Sequence, residues 1–326
     1  MKKFTAVLFA TMAVSLFTGC IKIKQTKTII GFVQVGHESA WRNACTNSFK
    51  TTFTESRGYE LRFFDADNSQ KRQIEAVRQL INEDVDYIVI APVVETGWDE
   101  VLQEAKNVGI PVIICDRKIK VEDESLYVCW IGSDFEKEAQ KAVEWLDEYI
   151  RTQMIRKKDV INILHFQGTM GSSAQLGRTQ GITTGVITHR GWNIQSFCAN
   201  FSEEEGKNLM DDYINLGKPL PDVIIAENDD MGWGIVDALE KNGIKPGEDI
   251  IIITFDANRK TLEYIMDGRI NCCIECNPIL GPEIEKIIST LKQGRIVDDV
   301  VKKENFITEQ LFDKSNVNTY YQYRLY

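Results

Sequence analysis

The stretch Pro111-Val-Ile-Ile-Cys-Asp-Arg117 is an apolar, β-branched segment that predicts a buried strand and ends in an acid and a base. Two more segments share this form: Val223-Ile-Ile-Ala-Glu-Asn228 and Ile251-Ile-Ile-Thr-Phe-Asp256. In an open parallel sheet, ligands bind in the crevice beyond the carboxyl ends of the strands. Carboxylate, guanidinium and amide groups at three such ends predict a site for a small molecule rich in hydroxyl groups.

Strand and helix patterns alternate along the chain in two similar sets. The first set starts with the strand Thr28–Val35, and the second follows Ile131 and ends near Gln293. Such alternation is typical of parallel sheets covered by helices on both faces. Since 326 residues are too many for one typical core, we predict an α/β fold of two doubly wound parallel-sheet lobes rather than one large sheet.

Charge and composition exclude one class of partner. The formal net charge is -10, and no basic stripe interrupts the acidic sequence. Nucleic-acid binding requires a basic surface, so no nucleic-acid partner is expected.

The first twenty residues have the form of an export signal. Lys2 and Lys3 precede an apolar run that ends in Phe17-Thr-Gly-Cys20. This form resembles the bacterial lipoprotein signal, which implies cleavage before Cys20 and lipid on its thiol. The alternative is an ordinary secretory signal with an incidental cysteine.

Seven cysteines follow Cys20, and an odd number cannot all pair within one exported chain. Cys115 and Cys129 lie in apolar runs and are interpreted as small buried side chains. The run Cys272-Cys-Ile-Glu-Cys276 invites a zinc interpretation, but strand alternation directs adjacent cysteines to opposite faces. No metal site and no cofactor are therefore predicted.

Several polar residues have both a binding and a structural interpretation. In His37-Glu-Ser-Ala-Trp-Arg42, Glu38 and Arg42 can bind hydroxyls and Trp41 can stack on a ring, or else Ser39 caps a helix and Trp41 is core. Asp116 and Arg117 are ligand contacts or a surface ion pair. Asn228 is predicted as a contact, with Asp229 or Asp230 as the cap of the next helix. Asp256 ends its strand as Asp116 does, and Arg178 faces the same crevice or solvent.

No motif supports catalysis. The loop Gln167–Ser173 contains glycine but lacks the spacing of the phosphate-binding and dinucleotide-binding motifs. Ser172 has no nucleophile context and the histidines have no recognisable partner, so the chain is not expected to be an enzyme.

Five runs together resemble a known family, above all Glu38-Ser-Ala-Trp-Arg42 and Ala91-Pro-Val-Val-Glu-Thr-Gly-Trp98. The chain is similar to the sugar-binding subunits of bacterial ABC importers, in the ribose-binding-like group and nearest to the binders of galactofuranose. The resemblance covers about Thr28 to Ile296. The five runs are Gly31–Arg42, Ile90–Trp98, Ile114–Arg117, His165–Gly171 and Asn228–Met231.

The resemblance implies two Rossmann-like lobes joined by a three-stranded hinge, the type I periplasmic binding protein fold. Its N-terminal lobe would comprise residues 28–132 and 277–307, and its C-terminal lobe residues 133–276 and 308–326. The implied ligand is a monosaccharide, expected to be galactofuranose or a related furanose. The residues implied to contact it are Glu38, Trp41, Arg42, Asp116, Arg117, Arg178, Phe201, Asn228, Asp256 and Glu275.

The resemblance also implies partners and a location. A monomer anchored through Cys20, in the periplasm or on the outer face of the cell membrane, would deliver sugar to ABC permease and ATPase subunits. One alternative is a sensor subunit that signals to a membrane kinase or chemoreceptor. Another is a surface glycosidase, which would need two opposed carboxylates.

Overall fold

The computed structural model describes residues 27–152, 160–294 and 301–326. The export signal with Lys2, Lys3 and Cys20 lies outside the described residues. Within those three ranges, no helix has both the length and the apolar character needed to cross a membrane.

The first sheet has six strands in the order β11-β5-β4-β3-β1-β2, and all neighbours are parallel. Its β-branched, apolar central strands suit a sheet that is buried on both faces. The strands are β1 (Thr28–Gln34), β2 (Tyr59–Asp65), β3 (Tyr87–Ile90), β4 (Val112–Cys115), β5 (Cys129–Gly132) and β11 (Glu304–Phe306).

The second sheet repeats this plan in the order β12-β10-β9-β8-β6-β7, with β12 antiparallel to β10 and the other neighbours parallel. This arrangement confirms the predicted pair of doubly wound sheets. The strands are β6 (Ile161–Gln167), β7 (Trp192–Cys198), β8 (Val223–Ala226), β9 (Ile251–Asp256), β10 (Cys272–Glu275) and β12 (Leu311–Asp313).

Helices cover both sheets. We call the first sheet with its helices the first lobe, and the second sheet with its helices the second lobe. The first lobe contains α1 (Ala40–Thr52), α2 (Gln70–Asn82), α3 (Asp99–Asn107) and α9 (Gly281–Lys292). The second contains α4 (Phe135–Thr152), α5 (Ser173–Ile187), α6 (Glu203–Asn215), α7 (Asp229–Lys241), α8 (Arg259–Asp267) and α10 (Val317–Tyr321).

Side chains on the two faces of a strand enter different cores. In β3, Ile88 and Ile90 pack in one buried cluster with Leu80 of α2, whereas Val89 packs in another. Residues on both faces are fully buried, as expected for a strand between two helix layers.

The cysteines are free thiols that serve mainly as core residues. All seven described cysteines are unpaired; six are buried and Cys198 is partly exposed. Cys272 and Cys273 pack in different hydrophobic clusters, which confirms that strand alternation separates them.

Within the described residues, the chain passes between the sheets at three points. These crossings follow β5, follow β10 and separate β11 from β12. They form the three-stranded hinge and place the carboxyl ends of both sheets opposite each other.

Candidate functional site

Nine of the ten predicted contact residues line one cavity between the lobes. The cavity is small, with about 30 Å³ of free internal volume. These residues follow the carboxyl ends of strands or lie in the first two turns of helices, as the parallel topology requires. They are Glu38, Trp41, Arg42, Asp116, Arg117, Arg178, Phe201, Asn228 and Asp256.

Arg42 is the centre of the polar network in the first lobe. Its Nη1 donates to Asp116 Oδ2 at 2.7 Å, and its Nε donates to Glu38 Oε1 at 3.2 Å. Gln34 Oε1 also accepts from Nη1. Ser39 caps α1 by accepting from the backbone N–H of Arg42, so the predicted cap and the predicted contacts occur in the same turn.

Arg117 lies beside this network in the same cavity. Its Nη1 donates to the carbonyl oxygen of Val93 at 3.1 Å, and its Nη2 is 3.9 Å from Glu38 Oε1. Burial and the nearby charge of Arg42 lower the pKa of Arg117 to about 10. Although burial raises it, the pKa of Glu38 is lowered on balance by Arg42 and Arg117, so both charges persist at neutral pH.

Arg178 extends the network into the second lobe and is buried, which rules out the surface interpretation. Its Nε donates to Glu138 Oε2 at 2.8 Å, and its Nη2 is 3.6 Å from Asp256 Oδ1. Although burial lowers it, the pKa of Arg178 is raised by Glu138. Burial raises the pKa of Asp256 well above its ordinary value, which favours a neutral carboxyl group there.

Aromatic side chains form the apolar part of the lining. The guanidinium of Arg42 lies 4.8 Å from the centre of the Trp41 ring, and that of Arg117 lies 5.3 Å from the centre of the Phe201 ring. The Trp41 Nε1 donates to the carbonyl oxygen of Cys276 at 2.7 Å, so its indole plane is fixed. Flat rings beside paired hydroxyl-binding groups suit a ligand with one polar edge and one apolar face.

Asn228, rather than either aspartate, caps α7, which corrects the prediction for this turn. Its Oδ1 accepts from the backbone N–H of Met231, while its Nδ2 donates to the carbonyl oxygen of Phe201. Asp229 instead accepts from the hydroxyl of Thr254 at 2.7 Å. Asp230 faces the other lobe.

Glu275 is the predicted contact that the structure does not bring to the cavity. Its Oε1 accepts from Arg324 Nη1 at 2.7 Å, and its Oε2 accepts from the backbone N–H of Gln310 at 3.0 Å. Cys276, the next residue, lines the cavity instead. The side chains of successive residues point to opposite sides of a strand. The predicted contact was therefore wrong by one position, since Cys276 rather than Glu275 faces the cavity.

Four lining residues were not predicted as contacts: Ser39 was predicted only as a helix cap, and the types of the other three carry no functional signal. Phe135 and Ala174 are apolar residues in the first turns of α4 and α5, and Cys276 directly follows β10. A sequence signal exists only for Ala174, which follows the glycine-containing loop that begins at Gln167.

Backbone geometry at the cavity is unusual for non-glycine residues. Asp116, Phe201 and Asp256 have φ values of 61°, 62° and 103°. Such conformations persist where the surrounding structure holds them, and they cluster at ligand sites. A Cβ atom on Gly168 would lie 1.9 Å from the Phe201 ring, so this glycine permits the position of Phe201.

Hydrogen bonds join the two lobes across the mouth of the cavity. The backbone N–H of Ala40 donates to Asp230 Oδ1 at 3.0 Å, and that of Lys118 donates to the hydroxyl of Ser173 at 2.7 Å. Burial raises the pKa of Asp230 to about 7. The structure is therefore a closed form in which each lobe contributes part of the wall.

Among the described residues, one group of side chains has ligand types that can hold a metal ion: Glu138, Cys276 and Glu309. It lies at the hinge beside the cavity, away from Cys272 and Cys273. The cavity itself offers hydroxyl-binding groups and flat rings.

The sequence and fold match known proteins over most of the chain. A family model described as a periplasmic binding protein domain matches residues 30–279. The galactofuranose-binding protein of Escherichia coli is 36% identical over 270 residues, which cover 81% of this chain and 82% of that protein. The fructose import binding protein of Bifidobacterium longum is 30% identical, with 86% and 84% covered.

Two solved structures extend this likeness. A Mycobacterium smegmatis protein in complex with β-D-fucofuranose has a TM-score of 0.84 and 36% identity, with 90% of this chain and 93% of that chain covered. The binding component of the arabinose ABC transporter of Shewanella sp. ANA-3, bound to α- and β-L-arabinofuranose, has a TM-score of 0.84 and 35% identity, with 91% and 96% covered.

These relatives are binding proteins, so the chain is not an enzyme and the surface-glycosidase alternative is excluded. Fold, cavity position and sequence agree on one assignment. This chain belongs to the periplasmic binding protein family.

Proposed function

We propose that this protein binds a neutral monosaccharide in its furanose form between the two lobes and delivers it to an ABC permease. The observation that carries the proposal is the shared cavity, in which paired charged groups and flat rings from both lobes meet. We infer that the nine lining residues predicted from the sequence contact the sugar.

Charge pairing in the cavity supports a neutral ligand. Each guanidinium already has a carboxylate: Arg42 has Asp116 at 2.7 Å, Arg178 has Glu138 at 2.8 Å, and Arg117 has Glu38 at 3.9 Å. A sugar acid or sugar phosphate would need an unpaired cation or would displace one of these pairs. Neutral hydroxyls, in contrast, accept from the guanidiniums and donate to the carboxylates without displacing them.

The relatives support the furanose ring form. The names of the Escherichia coli protein and of the two solved complexes specify galactofuranose, fucofuranose and arabinofuranose. We propose the same ring form here, with galactofuranose as the first candidate.

The proposal also includes export of the protein, its lipid anchor and the boundaries of its lobes. We propose a monomer lipidated at Cys20, whose permease works with ATPase subunits. The proposed lobes comprise residues 28–132 with 277–307 and residues 133–276 with 308–326. A ligand that touches both lobes binds the closed form better than the open form and shifts the population toward closure.

A calorimetric screen tests the ligand class. Purified protein is titrated with neutral pentoses and hexoses, and with a uronic acid and a sugar phosphate as charged counterparts. The expected result is binding of a neutral sugar, with a furanose signal for the bound anomeric carbon in ¹³C NMR. Tight binding of a charged sugar, or a pyranose signal, contradicts the proposal.

Small-angle scattering tests the closure. The radius of gyration is expected to fall when the tightest-binding sugar is added at saturation. An unchanged scattering profile on binding would rule out the hinged mechanism.

A further inference from the structure

One carboxylate joins all three crossings of the hinge. Glu309, on the third crossing, accepts through Oε1 from the hydroxyl of Ser133 on the first crossing at 2.6 Å. The same oxygen accepts from the backbone N–H of Asn277 on the second crossing at 2.8 Å. In the proposed hinged closure the lobes rotate about these crossings, which places Glu309 at the pivot.

A second buried carboxylate, Glu138 of α4, lies against this pivot. Its Oε2 is bound to Arg178 of the cavity, but its Oε1 is buried and has no hydrogen-bond partner. One carboxylate oxygen of Glu138, one of Glu309 and the Cys276 Sγ all lie within 4.8 Å of one another. Two ionised carboxylates this close in a dry interior repel each other, so the pair requires a compensating positive charge.

The surrounding side chains do not provide that positive charge to Glu138 Oε1 or to the Glu309 carboxylate. Arg178 is occupied by Glu138 Oε2 and Asp256, and the Lys141 ammonium donates to the backbone carbonyl of Glu309 at 2.9 Å. Burial raises the pKa of the Cys276 thiol, so it stays protonated. Burial and the charge of Glu138 likewise raise the pKa of Glu309.

A proton fits this site better than a divalent cation. The Arg178 guanidinium, 2.8 Å from Glu138, already places a positive charge beside the pair. A divalent ion would be repelled by it and would need the Cys276 thiol to ionise. One proton supplies the missing donor to Glu138 Oε1 and leaves the Arg178 pair unchanged.

We propose that Glu138 and Glu309 share one proton, and that this carboxyl pair is the positioning unit that fixes Arg178 of the cavity relative to the hinge. Its role in ligand binding rests on the proposed function, whereas the shared proton does not. The chain of contacts runs from the crossings through Glu309 and Glu138 to Arg178.

The shared proton is tested without sugar, by thermal unfolding between pH 5 and pH 9. The pair binds its proton more tightly in the folded chain than in the unfolded chain, so the wild type loses stability as pH rises above the ordinary glutamate value of about 4.3. Glu309→Gln keeps a permanent donor toward Glu138 and should lose less stability over this range, because only other buried acids such as Asp230 and Asp256 still contribute to the loss. The two proteins should unfold together at pH 5 and separate at pH 9.

Glu275→Gln is the matched control. Glu275 is also a buried hinge-side glutamate, but its partners are Arg324 and a backbone N–H rather than a second carboxylate. Its pH profile should remain parallel to that of the wild type. A Glu309→Gln profile parallel to the wild type would overturn the shared proton, and so would loss of wild-type stability after chelation with EDTA, which would indicate a bound cation.

The positioning role is tested by sugar affinity at pH 6. Glu309→Gln should bind within about threefold of the wild type, whereas Glu309→Ala and Glu138→Gln should bind about thirtyfold more weakly, since each leaves a buried partner unpaired. Equal loss in Glu309→Gln and Glu309→Ala would overturn the role. If the wild type binds no sugar, the proposed function fails, while the unfolding experiment still decides the proton.

Discussion

The backbone N–H of Ala40 in α1 donates a hydrogen bond to Asp230 Oδ1 in α7, across the cleft and 190 positions away in sequence. The other carboxylate oxygen, Oδ2, is buried and has no partner. A carboxylate at a helix amino end is favourable, but here closure removes it from water. In the proposed hinged closure, we expect this bond to hold the closed form and to make closure sensitive to pH.

We expect sugar affinity to rise as pH falls. An aspartate exposed in the open form has an ordinary pKa near 3.9, whereas burial raises the pKa of Asp230 to about 7 in the closed form. Between these values the closed form binds more protons, so acid favours closure, by about tenfold from pH 8 to pH 6. Calorimetric titrations at several pH values should show this slope in the wild type and a flatter slope in Asp230→Asn.

Ser173→Ala is the control for that experiment. It removes the hydrogen bond from the Lys118 backbone N–H across the same cleft but no titratable group. Its affinity should be lower at every pH with an unchanged slope. An Asp230→Asn slope equal to that of the wild type would contradict the assignment.

Replacement of Asp116 or Arg117, the acid and the base that follow β4, should weaken sugar binding. Asp116→Asn removes the charge that Arg42 binds at 2.7 Å, and Arg117→Ala removes a donor beside Phe201. Each should reduce the binding free energy by about 2–5 kcal/mol, because a buried partner is left unpaired. Asparagine is chosen over alanine because Asp116 has φ of 61°, which asparagine tolerates.

Lys118→Ala serves as the neighbouring control. Its ammonium contacts Glu304 and the Trp130 ring rather than the cavity lining. Calorimetry should give near wild-type affinity for this variant, and normal affinity in Asp116→Asn and Arg117→Ala would refute their assignment as contacts.

Gly168→Ala should displace Phe201 from the cavity wall. The new methyl group would lie 1.9 Å from the ring, and overpacking of this kind costs about 1–3 kcal/mol. In the Phe201→Ala background the same change should have little further effect on sugar affinity, because the colliding ring is gone. Additive losses in the double variant would show that Gly168 acts on another feature.

Mass spectrometry of the protein from its native membrane should find a chain that begins at Cys20 and carries lipid. Two or more acyl chains give stable membrane attachment, whereas one is marginal. Cys20→Ser should release the protein from the membrane fraction. An unmodified Cys20 or an intact Met1 would contradict the lipoprotein interpretation.

The wound lobes and most of the cavity could be predicted because both follow from local patterns. Apolar strands such as Pro111–Cys115 are evident in the sequence, and the parallel topology brings the residues after them to one edge. This placed Asp116, Asn228 and Asp256 correctly beside one cavity.

What the sequence could not predict depends on single-residue register and on tertiary contacts. Glu275 and Cys276 differ by one position, and the pleat alone decides which one faces the cavity. The bond between Ala40 and Asp230 joins residues of different lobes that are 190 positions apart, so no local pattern predicts it. Strands β11 and β12 have three residues each, too few for a periodic pattern to be recognised.

The burial of the free thiols determines how they react in an oxidising compartment. Burial raises the pKa of Cys45 and of Cys129 to about 12, so these sulfurs are neutral and poor nucleophiles. Among the described cysteines, Cys198 alone is partly exposed, which makes it the position for mixed disulfides with small thiols. Oxidative damage to the described cysteines should therefore begin at this one sulfur.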